Sequence, residues 1–81
     1  MPLTLYSTEG CHLCEMAFEL TQQLGLDDSV VVVDIAFNDE LFARYGVTIP
    51  ILNYQGNELN WPFDSQQLQD WLNNNGITYR K

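Results

Sequence analysis

Leu3-Thr4-Leu5-Tyr6-Ser7-Thr8-Glu9-Gly10-Cys11-His12-Leu13-Cys14-Glu15-Met16-Ala17 carries a strand pattern straight into a helical one, with two cysteines at the joint. Leu3 to Ser7 alternates its side chains with the period of a strand. Leu13, Met16, Ala17, Leu20 and Leu24 recur at helical spacing, and Gly25 supplies a C-terminal stop. The helix therefore begins at Cys11-His12-Leu13-Cys14. A helix N-terminus has unpaired N–H groups and about half a positive charge, which stabilises a thiolate. Only the thiolate attacks disulfides, so a cysteine placed here becomes reactive near neutral pH. Cys14, three residues on, shares a helix face with Cys11 and can close a disulfide with it.

Working outward, Asp27-Asp28-Ser29 reads as a turn. Val30 to Ile35 is β-branched and nearly continuous, the pattern of a parallel strand covered on both faces. Asn38-Asp39-Glu40 caps a second helix, with Arg44 in its last turn and Gly46 beyond, so the charges follow the helix dipole. Pro50 to Tyr54, a turn at Gln55-Gly56-Asn57, and Glu58 to Trp61 form a β-hairpin pattern. Asp64 and Gln67 have capping-box spacing and open a last helix with Leu68, Trp71 and Leu72 inward and Gly76 after it. The tail from Ile77 to Lys81 carries no assignment. The order is βαβ, helix, ββ, α, and the first unit implies parallel strands joined by a right-handed crossover. The expected fold is α/β and thioredoxin-like: a four-stranded mixed sheet with helices on both faces.

A chain of 81 residues is read as one domain, 1–81. The longest apolar run, Val30 to Val33, is far below the ~20 residues a membrane helix needs. Met1-Pro2 leads into the first strand without a secretory pattern, and two cysteines without a leader fit a reducing compartment, so the cytoplasm is expected. The net charge is −8, with Arg44, Arg80 and Lys81 the only basic residues apart from His12. Nucleic-acid binding needs clustered cations, so neither nucleic acid nor membrane is an expected partner, and the chain is expected to be monomeric. The acidity is explained by solubility, with an acidic docking role as the other reading.

Cys11, at the helix start and the more exposed of the pair, is the candidate nucleophile. Cys14, one turn in, is the candidate resolving thiol, breaking the mixed disulfide by exchange. The competing reading is zinc, which wants four ligands; only His12 is available beside the cysteines, and no second C-x-x-C follows. His12, if cationic, stabilises the Cys11 thiolate; otherwise it is a solvated imidazole. Glu9, Glu15 and Glu19 act in the opposite direction, because like charge disfavours a new anion. Pro50 opens a strand, a place where a proline is tolerated, and on its own reads as an ordinary trans bond.

Tyr6 to Cys14, followed by Tyr45-Gly46-Val47-Thr48-Ile49-Pro50-Ile51-Leu52, resembles the glutaredoxin family, in particular small bacterial glutaredoxin-like proteins with a C-x-L-C centre and a Trp-Pro-Phe-Asp run, here Trp61 to Asp64. The resemblance spans Leu3 to Leu72. It implies a disulfide oxidoreductase of the glutaredoxin kind, a cis Ile49–Pro50 bond beside the cysteines, and substrate contacts at Thr48, Ile49 and Pro50, with the Ile49 backbone taking an extended thiol peptide or glutathione by strand addition. It also implies that no cofactor is held and that glutathione serves as reductant or co-substrate.

The departures are specific. His12-Leu13 replaces the family's Pro-Tyr, no Lys or Arg adjoins Cys11, and Trp61-Pro62-Phe63 occupies the region of a Gly-Gly pair that receives glutathione. Asp64 matches the family's acidic residue for the α-amino group of glutathione, and equally matches an N-cap. Leu5 stands where thioredoxins carry a buried acid. Trp61 and Phe63 are either an apolar substrate wall or core filling. The expected function is thiol–disulfide exchange on small-molecule or protein disulfides. A non-enzymatic, redox-sensitive binding module using the Pro50 groove is the alternative, and an iron–sulfur or metal carrier sharing Cys11 between two chains is the third reading.

Overall fold

The computed structural model describes residues 3–77. Leu3–Ser7 forms β1, His12–Gln23 α1, Val30–Asp34 β2, Asp39–Tyr45 α2, Ile51–Tyr54 β3, Asn57–Asn60 β4 and Ser65–Asn74 α3, with short 3-10 turns at Asp27–Ser29 and Ile35–Phe37. The strands lie in the order β2-β1-β3-β4, with β1–β2 parallel and the other pairings antiparallel. This is the expected thioredoxin-like α/β sheet.

Alternation along the strands separates two cores. Leu3 and Leu5 of β1 and Leu52 of β3 face Ala17 and Leu24 from α1 and its end, and Leu68 and Leu72 of α3, with Phe63 among them. The opposite face of the sheet presents Ile51 to Ile35 and Tyr45, with Tyr6, Leu41 and Ile49 packed around them. Helices thus cover both faces, α1 and α3 on one and α2 on the other.

Three local features follow from side-chain chemistry. Asn38 Oδ1 accepts from the Leu41 N–H at 3.0 Å and starts α2. Asp64 Oδ1 accepts from the Gln67 N–H at 2.8 Å while Gln67 Oε1 accepts from the Asp64 N–H at 3.0 Å, the reciprocal box that opens α3. Gln55 and Gly56 turn the hairpin with positive φ at both residues, 51° and 88°, which an unbranched polar residue and a glycine tolerate.

The apolar run Val30 to Ile35 is not a strand covered on both faces. Order β2-β1-β3-β4 leaves β2 at the sheet edge with one neighbour, and Val31 and Val32 are about half exposed, at 52% and 53%. Ile35 leaves the strand and enters the following turn, where it is buried. Leu13 and Met16, in register with the expected core stripe of α1, are instead exposed, since the buried face of α1 runs through Cys14, Ala17 and Thr21 and leaves them at its flank. Trp71 lies at the core margin, half-buried.

Candidate functional site

The sheet register brings the predicted site residues to one end. Ser7 of β1 leads toward Cys11; Ile51, opposite Tyr6, is preceded by Pro50; and Asn60, opposite Ile51, is followed by Trp61. The Trp61 N–H donates to the Pro50 carbonyl at 3.2 Å, tying the two loops together.

Cys11 is the N-cap of α1. Its backbone is extended, at φ −84° and ψ 102°, and its Sγ accepts from the Cys14 N–H at 3.2 Å. That contact puts an amide dipole and the start of the helix onto the sulfur, as a thiolate requires. Gly10, at φ 78°, turns the chain from β1 into the cap, and the Cys11 N–H donates to the Thr8 carbonyl at 3.3 Å. Cys11 and Cys14 are disulfide-bonded with Cα atoms 5.2 Å apart. Cys11 is partly exposed, whereas Cys14 is 3% exposed.

His12 points into solvent, with Nδ1 3.6 Å from Glu15 Oε2. Both side chains are largely exposed, so the pair is weak and the carboxylate occupies one side of the imidazole. Glu9 and Glu19 are exposed on the same chain segment. Among the described residues, no three His, Cys, Asp or Glu side chains gather into a metal-holding cluster.

The Ile49–Pro50 bond is cis, as is Trp61–Pro62. Pro50 is buried, Ile49 half-buried and Thr48 exposed. The loop is held by a residue sequence reading overlooked. The Tyr45 carbonyl accepts from the Thr48 N–H at 2.9 Å, the Ile49 N–H at 3.2 Å and the Thr48 hydroxyl at 3.3 Å. Tyr45 is in turn fixed by stacking on Tyr6, with ring centroids 4.7 Å apart, and by its hydroxyl, which donates to the Glu58 carboxylate. Burial and that carboxylate push the Tyr45 phenol up to about 12, so it remains a donor throughout the neutral range. The signal was available in part: Tyr45 ends an amphipathic helix, and the strand period places Glu58 on the α2 face.

Phe63 is 4% exposed and packs in the main core, and it also contributes to the wall of a groove beside Trp61. Trp61 is half-buried, packs edge-on against Phe63 at 5.1 Å, and lines a groove of about 360 Å³ with Met16, Leu20 and Asp64. On the other flank of α1 a cleft of about 490 Å³ is lined by Cys14, Leu5, Phe18 and Val32, with Glu15 and Glu19 among its walls.

This arrangement has relatives. Residues 2–73 match the model of the Glutaredoxin-like domain (DUF836). The chain belongs to the glutaredoxin-like family. The X-ray structure of Northeast Structural Genomics target protein XcR50 from X. campestris is 38% identical and covers 89% of this chain and 96% of its own, with a TM-score of 0.83. The solution structure of XcR50 is 39% identical over 91% and 95% of the two chains, with a TM-score of 0.81. No curated protein matches the chain. A glutaredoxin-like domain with its Cys11–Cys14 pair at bonding distance is consistent with redox activity. No helix among the described residues is long and apolar enough to cross a membrane.

Proposed function

We propose that this glutaredoxin-like chain is a thiol–disulfide oxidoreductase with Cys11 as nucleophile and Cys14 as resolving thiol. The observation that carries the reading is the asymmetry of a bonded cysteine pair: one sulfur caps a helix and is reachable, and the other is buried one turn in.

In the reduced protein the Cys11 thiolate attacks one sulfur of a disulfide. The Cys11–substrate bond forms as the substrate S–S bond breaks, and the released thiolate takes a proton from water. Cys14 gives up its proton to solvent and attacks the Cys11 sulfur, so the Cys11–Cys14 bond forms and the second substrate thiolate leaves. Two electrons pass to the substrate, and an external thiol reductant returns them. The Cys14 N–H and the start of α1 favour the Cys11 thiolate, with His12 as a modulator when cationic and Glu15 opposing. Thr48, Ile49 and Pro50 border the attacked sulfur. Because the Ile49 N–H already serves the Tyr45 carbonyl, the Ile49 carbonyl is the group offered to an extended chain. The protein acts in this reading as a monomer in a reducing compartment such as the cytoplasm, on small-molecule or protein disulfides.

The test is a Cys14→Ser variant mixed with an uncharged peptide disulfide under non-reducing conditions. A covalent adduct on Cys11, released by dithiothreitol, is the expected product. Non-covalent retention alone would instead indicate a binding module at the Pro50 groove.

A further inference from the structure

The hydrogen bonds at the Cys11 end of the sheet narrow the partners of the redox reaction, given the oxidoreductase reading. Glutathione is an anionic tripeptide with two carboxylates and one ammonium. Holding it takes cations or unengaged N–H groups for its two carboxylates. Here three backbone N–H groups of the two loops are engaged within the protein. The Ile49 N–H donates to the Tyr45 carbonyl and the Trp61 N–H to the Pro50 carbonyl, both at 3.2 Å. Pro62 has no N–H to give. The Asp64 N–H and Asp64 Oδ1 are both committed to Gln67, at 3.0 Å and 2.8 Å.

Among the described residues, cations do not make up the difference. Among the described residues the single Lys or Arg is Arg44, whose guanidinium lies 5.1 Å from the Tyr45 ring centroid. The imidazole of His12 faces Glu15. What the site does present is apolar and acidic. Leu13 on α1 and Val47 beside the Thr48–Pro50 loop are exposed at 44% and 99%, with Glu9 and Glu15 flanking Cys11 in the chain.

We propose that Cys11 serves a cysteine in a protein segment flanked by basic residues, and that glutathione is not its direct partner. An extended segment meets the Ile49 carbonyl with a backbone N–H, lays apolar side chains on Leu13 and Val47, and brings its cations to Glu9 and Glu15. Glutathione, with two carboxylates against one ammonium, meets the same carboxylates with a net negative charge. Opposite charge at a reactive cleft raises association rates, and the gain falls with ionic strength.

The experiment follows oxidation of the reduced chain by three disulfide-bonded peptides identical except for Lys, Ser or Glu flanks, and by glutathione disulfide, at low and high salt. The Lys peptide is expected to react about tenfold faster than the Glu peptide and glutathione disulfide at low salt, with the ratio falling toward one at high salt. A Glu9→Gln, Glu15→Gln double variant narrows that ratio. Equal rates for the Lys and Glu peptides, or glutathione disulfide matching the Lys peptide, overturn the selectivity while the oxidoreductase reading stands. A Ser peptide reacting no faster with the protein than with free cysteine overturns both.

Discussion

Cys11→Ser is expected to reduce disulfide exchange to the rate of buffer alone, measured as turnover of an uncharged peptide disulfide with dithiothreitol as reductant. A serine hydroxyl is not ionised near neutral pH, so the substitution removes the nucleophile rather than weakening it. Serine is nevertheless a preferred N-cap, and its oxygen can accept the Cys14 N–H that the sulfur now takes. The first turn of α1 should therefore persist. Thermal unfolding of the variant and of the reduced parent should agree within about 1 kcal/mol, placing the loss in chemistry and not in folding. Turnover that survives in Cys11→Ser would move the reaction to another group.

Leu52→Ala should have the largest effect on stability. Leu52 is fully buried on β3, pairs across the sheet with Leu5 on one side and Leu59 on the other, and faces the core shared by α1 and α3. Strands on both sides hold the backbone in place, so the cavity cannot collapse. A cost of about 2–5 kcal/mol is expected. Domains of this size have only ~5–15 kcal/mol in total, with small ones near the lower end. Urea unfolding should show a large drop in midpoint. Val32→Ala is the contrast: the residue is 53% exposed on the edge strand, and a change of about 0.5 kcal/mol or less is expected. A Leu52→Ala loss no larger than that of Val32→Ala would contradict the placement of the core.

The elements most legible in the sequence were those whose signals are local. The switch from alternating to helical periodicity located the end of β1 and the start of α1 at the cysteines. The Asp64–Gln67 spacing predicted a box that the structure contains on both sides. Non-local facts were hidden. A β-branched run such as Val30 to Val33 looks the same at the centre or edge of a sheet, because only the strand order decides what covers it. Leu13 and Met16 share the helical spacing of Ala17 and Leu24 but sit at the flank of the buried face, which runs through Cys14, Ala17 and Thr21. The cis state of Ile49–Pro50 was implied by family resemblance, since the residues alone read as trans. The Tyr45–Glu58 contact joins groups 13 residues apart, and the capture of the Ile49 N–H by the Tyr45 carbonyl depends on how that loop folds.

Alkylation of the fully reduced protein, resolved by peptide mass analysis across pH, bears most directly on the claim that a helix start activates one sulfur of the pair. Cys11 should react faster than free cysteine at neutral pH, with a titration midpoint below the ~8.5 of an ordinary thiol, while Cys14 remains protected. Equal labelling of both sulfurs, or a Cys11 rate and midpoint no different from free cysteine, would contradict it.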